Sequence, residues 1–155
     1  MSNQTRKELV EAVTATARRH HAAYTLFNQA MAERLGLHPT DLQCVGLLAL
    51  EPGPCTTGEI AELTGLTSGS ATRLVDRLQK AGLAERHPDP HDRRKMLVTL
   101  TPGRAPEIEA AWDAPGRAFG QALEDFTDDE LIVIERYLRR TTDVGTAQTA
   151  RLRTD

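Results

Sequence analysis

The sequence is short of most residues that carry chemistry. Among 155 residues there are two cysteines, Cys44 and Cys55, and aromatics make up only 4%. Two cysteines do not make a disulfide framework. So few rings leave the core to aliphatic side chains and alanine, which suits packed helices. No apolar run approaches the ~20 residues that a membrane span needs. The amino-terminal stretch MSNQTRKELVEAV is polar and then amphipathic, with no secretory apolar centre, so a cytoplasmic location is expected. Net positive charge is missing too: the formal charge is −3, which excludes a uniformly basic nucleic-acid coat. The sequence contains no G-x-S-x-G, H-E-x-x-H, C-x-x-C, Walker loop or G-x-G-x-x-G. Asp128-Asp129-Glu130 sits where a helix start accounts for it. The chain therefore reads as a non-enzyme with no cofactor and no metal.

What the sequence does have is local charge. Between Arg73 and Lys95 seven Lys/Arg stand against four acids, a surplus of +3, which leaves −6 for the rest of the chain. A basic face on an acidic body is the electrostatic footprint of a DNA-binding surface.

The length fits one domain. Apolar or small residues at Leu9, Val13, Ala17, Tyr24, Phe27, Met31 and Leu35 mark one face of a helix of roughly 25–30 residues, with His20 on the same stripe and Gly36 as the stop. Such a helix is too long for a small monomer to cover and implies a partner chain. A second helix starts at His38-Pro39, carries Leu42, Val45, Leu47, Leu48 and Leu50 as a mostly buried set, and ends at Glu51-Pro-Gly-Pro54. Thr56-x-x-Glu59 is a capping box for a short helix with Ile60, Ala61 and Leu63. Gly65 turns the chain. Thr67 or Ser68 caps the next helix, whose inner face is Ala71, Leu74, Val75 and Leu78, and Gly82 ends it. Two short helices around a glycine turn make a helix-turn-helix pattern.

Strands are expected over Leu83–His87 and Lys95–Leu100, joined by the polar, proline-stiffened, basic segment from Pro88 to Arg94. Thr101-Pro102 predicts the start of a helix reaching about Phe126, kinked at Pro115-Gly116. Thr127-x-x-Glu130 opens a last helix with Leu131, Ile134, Tyr137 and Leu138. The tail beyond about Thr142 is polar and expected to fray. The fold class is thus mainly α with a small two- to three-stranded β wing.

Ser68, Ser70, Thr72 and Arg73 lie near the start and outer side of the second motif helix. There, short hydroxyls and a long guanidinium can approach base edges or phosphates. Arg93, Arg94 and Lys95 cluster at the wing, where a guanidinium suits a narrow minor groove. Arg77 and Arg86 complete the DNA-binding candidates. Asp92 repels phosphate, and it makes sense there if it holds an arginine in position. Against this stands the plain reading of a surface helix and a solvated loop.

Asp92-x-Arg94-x-x-x-Val98-x-Leu100-Thr101 resembles the wing signature of the MarR family of winged helix-turn-helix transcription regulators. Thr72-Arg-Leu-Val-Asp-Arg-Leu78 and Gly82-Leu83 resemble its recognition helix and exit. The likeness covers roughly residues 8–140. It implies a homodimer, with residues 1–37 and 101–145 as helical dimerisation region, 38–100 as DNA-binding domain and 146–155 as a frayed tail. It implies recognition helices in major grooves and wings toward minor grooves of a near-palindromic double-stranded operator. Arg94 would be the wing-tip arginine and Asp92 its positioning partner. Arg73 and Arg77 would contact the backbone or brace internally, with Asp76 as a possible brace. It further implies repression relieved by a small molecule, often aromatic, bound between the DNA and dimer lobes. The Pro115-Gly116 pair departs from the family's long fifth helix.

For the trigger, His20 and Tyr24 are candidates to edge a ligand crevice, and Trp112 is a candidate for packing. Adjacent His20 and His21 point about 100° apart and do not chelate together easily. A thiol-based oxidant sensor is an alternative, although buried thiols are usually inert. A winged-helix module that binds protein and not DNA is another.

Overall fold

Residues 5–154 are described in the computed structural model of the chain. Three of its helices open on the same threonine-x-x-glutamate device. Thr5 caps α1 (Arg6–Leu35), Thr56 caps α3 (Thr57–Thr64) and Thr127 precedes α6 (Asp128–Thr154). In each, the glutamate amide donates to the threonine hydroxyl and the glutamate carboxylate accepts from the threonine amide, at 2.7 Å for Glu8, 2.6 Å for Glu59 and 2.8 Å for Glu130. These bonds hold all three carboxyls below the ordinary 4.5, the backbone bond being the largest cause. A carboxyl whose folded value is depressed contributes stability that is present above its unfolded value and lost as the pH falls through the folded one. The melting temperature is therefore expected to drop on acidification below 4.5. Glu59→Gln, which retains a capping acceptor, should flatten that limb in a pH series of thermal melts.

Between these helices the chain forms α2 (Pro39–Leu48), β1 (Cys55–Thr56), α4 (Ser68–Lys80), β2 (Ala84–Pro88), β3 (Met96–Leu100) and α5 (Ala105–Glu124). The expected stops are present. Gly36, Gly65 and Gly82 take left-handed φ of 64°, 69° and 70°, a region that glycine enters at no steric cost. His38 caps α2 with Nδ1 accepting from the Thr40 amide, and Pro39 fills the first turn. Thr67, not Ser68, caps α4.

The sheet is antiparallel in the order β1-β3-β2. Cys55 faces Val98, and Ala84 through Pro88 face Leu100 through Met96. The core lies beneath it, where Cys44, Leu48, Ile60, Leu74, Val75, Leu78, Leu83 and Val98 are all buried, with Ile108 from the start of α5 packed against them. The expected inner face of α4 is buried throughout. In α2, however, Leu50 lies beyond the helix and is 80% exposed.

Two expectations need correcting. The helix after the wing starts at Ala105, not at Thr101-Pro102. Thr101 is engaged elsewhere, its amide donating to Leu83 O at 3.0 Å and its hydroxyl to Gly82 O at 2.7 Å, so it ties off the sheet in place of capping a helix. Pro115 lies inside α5, which runs from Ala105 to Glu124. The tail expected to fray from 146 is helical to Thr154, built from residues such as Ala147, Gln148, Ala150 and Leu152 that favour helix.

The turn into α5 is close-packed. A Cβ on Gly103 would stand 2.6 Å from the Gly82 carbonyl oxygen, a backbone atom that cannot step aside. Gly103→Ala is expected to destabilise the chain by about 1–3 kcal/mol. Gly116→Ala, where a Cβ meets nothing within 4 Å, should be neutral or slightly stabilising in the same melts.

The chain forms two compact units, one through Ala111 and one from Trp112. In the first, α1 buries only Met31, Ala32 and Leu35, while Leu9, Val10 and Val13 stay about half exposed. In the second, Phe119, Leu123, Ile132, Val133 and Leu138 are exposed.

Candidate nucleic-acid interface

The helix-turn-helix comprises α3 and α4 and the wing comprises β2, β3 and their connection. The start of α4 is a small hydroxyl network. Thr67 Oγ1 accepts from the Ser70 amide at 3.3 Å and donates to Ser70 Oγ at 3.0 Å, and Ser70 Oγ in turn accepts from Arg73 Nη2 at 3.2 Å. Thr72 donates back to Ser68 O at 2.9 Å. Ser68, Thr72 and Arg73 are exposed, and Ser70 is half-buried. Four of the expected contact residues therefore gather at one end of α4, and Ser70 also serves to steer Arg73.

The wing loop is ordered by its own acids. Asp89 Oδ1 accepts from the amides of His91 and Asp92 at 2.7 and 3.3 Å, and those bonds, the His91 one first, lower its carboxyl from the ordinary 3.8. The Asp89 amide donates to Lys95 O at 2.9 Å, and the Lys95 amide donates to Asp92 O at 2.8 Å, closing the loop. Asp92 Oδ1 accepts from the amide of Arg94 at 3.1 Å and from its Nε at 3.2 Å. Arg94 is thus held at its amide and at Nε while its side chain is 92% exposed. Arg93 and Lys95 are exposed beside it.

Two further DNA-binding candidates, Arg77 and Arg86, are engaged within the fold. Arg77 forms a two-pronged bond to Asp41 on α2, Nε to Oδ2 at 2.8 Å and Nη2 to Oδ1 at 2.6 Å. The Asp41 bonds keep its guanidinium more firmly protonated than usual. Asp76, considered as a brace for Arg77, instead accepts from Arg86 Nη1 at 2.6 Å. Arg86 Nη1 also reaches Gln79 Oε1, and Nη2 donates to Thr72 O at 3.3 Å. Sequence gives Asp41 only a place at a helix start, and its pairing with Arg77 is not legible there because the partner lies 36 positions away.

The other candidates are plainer. His20 and Tyr24 are exposed on α1, their rings 6.3 Å apart, and Tyr24 continues to Phe27 at 6.0 Å. Both cysteines are buried. Burial, with Asp41 and Cys55 nearby, pushes the Cys44 thiol up to about 11. Burial and then Glu51 and Glu59 raise that of Cys55. Since the thiolate is the species that oxidants attack, burial and these raised values act against oxidation at either thiol. Among the described residues no group of three His, Cys, Asp or Glu is arranged to hold a metal, and no helix is long and apolar enough to cross a membrane.

A helix-turn-helix followed at once by a two-stranded hairpin and closed by a short strand before it defines a winged-helix protein. A sequence model described as MarR family matches residues 35–95. The HTH-type transcriptional regulator YcgE of Bacillus subtilis is 34% identical, over 98% of both chains. The multiple antibiotic resistance protein MarR of Escherichia coli is 33% identical over 67% of this chain and 76% of its own. The structure of a MarR family protein from Bacillus stearothermophilus superposes with a TM-score of 0.69 at 26% identity, over 92% of this chain and 99% of that one. The chain belongs to the MarR family of transcriptional regulators.

Proposed function

We propose that this regulator is a sequence-specific repressor that binds a near-palindromic duplex as a homodimer and leaves it when a small molecule binds. The observation that carries the DNA-binding part is Arg94, a cation anchored by Asp92 yet almost wholly exposed at the tip of an ordered wing. In the proposed complex the start of α4, with Ser68, Thr72 and Arg73, enters a major groove and Arg94 reaches the adjacent minor groove. Arg93 and Lys95 take phosphates. Two-fold symmetry then sets the half-sites about one helical turn apart.

The exposed apolar residues of α1 support the homodimer, and so, separately, do those of α5 and α6. A second copy is the covering partner that a two-fold operator requires. In this reading residues 1–37 and 101–145 dimerise and 38–100 bind DNA, with the first four residues outside those described. The row His20, Tyr24 and Phe27 on α1 favours an aromatic effector.

The test is a titration against the duplex upstream of the chain's own gene at several salt concentrations, with an unrelated duplex as reference. Specific binding that saturates at two protomers per duplex and weakens steeply with salt supports the reading. Equal affinity for both duplexes overturns it.

A further inference from the structure

Two arginines that charge alone assigns to the DNA surface hold α4 from opposite sides. At 3.6 residues per turn, the buried Ala71, Leu74, Val75 and Leu78 mark one face of α4. Thr72, Asp76 and Gln79 then form a stripe along one edge of the outward face, and Arg77 lies on the other edge. Arg86 projects from β2, opposite Val98 of β3, and grips the first stripe at all three residues. Asp41 grips Arg77 on the second edge. The strip left between them carries Gly69, Arg73 and Lys80. The Arg86 side chain is only 21% exposed, against 92% for Arg94.

We propose that Arg86, with Asp76 as its acceptor, is a positioning residue for DNA reading: it fixes the roll of α4 about its own axis relative to the wing and touches no phosphate. The inference rests on the DNA-binding reading above. The aliphatic face of α4 supplies affinity for the core but little resistance to rolling, because dispersion contacts have no direction. Side chains reach about 6 Å from a helix axis. A roll of about 20° then carries a tip about 2 Å, more than a hydrogen bond to a base tolerates. The clamp also accounts for Asp76, an acid 57% exposed on a face that would lie against phosphates. Its charge opposes DNA, and its bond to Arg86 is what it contributes in return.

The experiment uses the full chain and a duplex that the wild type itself enriches from a random-sequence pool, with an unrelated duplex of equal length beside it. Affinities are read by fluorescence anisotropy across a salt series. Electrostatics alone predicts that Asp76→Asn, which removes a negative charge near DNA, binds more tightly. The positioning role predicts the opposite for the enriched duplex, a loss of about tenfold, with no loss on the unrelated duplex. Arg86→Gln should lose a similar factor with an unchanged salt slope. The double variant should be no weaker than the weaker single variant, and Asp76→Glu should restore binding. If Arg86 instead contacts phosphate, Arg86→Gln lowers the salt slope by about one and Asp76→Asn tightens binding; either result overturns the inference. Asp76→Asn alters an exposed side chain, so it decides the matter even if Arg86→Gln folds poorly. A wild type that enriches no sequence overturns the DNA-binding reading and this inference with it. Enrichment by the wild type with full affinity in Asp76→Asn overturns this inference alone.

Discussion

Replacing Arg94 with alanine is expected to weaken specific DNA binding by about tenfold to a hundredfold, the cost of one good guanidinium contact in a groove, and to leave the melting temperature unchanged. The two halves of that expectation have one origin. The Arg94 side chain is 92% exposed and bonded to Asp92 through Nε in an exposed ion pair, so the fold loses little that water does not replace. A narrow minor groove concentrates negative potential, so the same side chain contributes most once it is there. Asp92→Asn is the informative companion. Removing an acid beside DNA should strengthen binding if only charge matters. Here Asp92 Oδ1 accepts from both the amide and Nε of Arg94; an asparagine oxygen can still accept but carries no charge, so the arginine is held more weakly and affinity should fall. Anisotropy titrations of both variants check this. Arg94→Ala binding as well as wild type would remove the wing from the interface.

Arg77→Ala should be among the most destabilising single substitutions of a polar residue in the chain, at about 3 kcal/mol, the low end of what breaking a buried pair costs. Asp41→Ala should cost distinctly less. The asymmetry follows from exposure: Asp41 has 5% of its side chain exposed, whereas that of Arg77 has 47%. Without Arg77, a buried carboxyl group loses both of its guanidinium donors. Without Asp41, a half-exposed guanidinium turns to water. Denaturant melts of both variants, and of the double variant to close the cycle, measure the difference. Equal losses would show that the bond joining α2 to α4 contributes through its geometry and not through the buried charge.

Much of this was legible in the sequence because it is local. The boxes at Thr56 and Thr127, the glycine stops at Gly36, Gly65 and Gly82, and the buried face of α4 all depend on residues within one or two turns of each other. The Asp92–Arg94 pair was legible for the same reason, its partners being two positions apart. What went unread is tertiary. Strand β1 has two residues and so no alternation to detect. Arg77 and Arg86 announce a positive charge and conceal where it is used, since their acceptors lie 36 and 10 positions away. Thr101 looks like a helix cap until Gly82 O is found within reach of its hydroxyl. The box at Thr5 is equally local, standing just ahead of the apolar stripe of α1.

The order β1-β3-β2 has a dynamic consequence. Strand β3 is the central strand, hydrogen-bonded on both edges, although it leads directly out of the wing. Its amides can exchange with solvent only if β1 or β2 detaches, and Val98 is seated among the core residues. Protection against deuterium should therefore climb steeply from Arg93 to Val98, within a few residues of the exposed Arg94. The wing behaves as a short fingertip on a stiff root, and what it can adjust to in a groove is limited to the loop from Asp89 to Lys95.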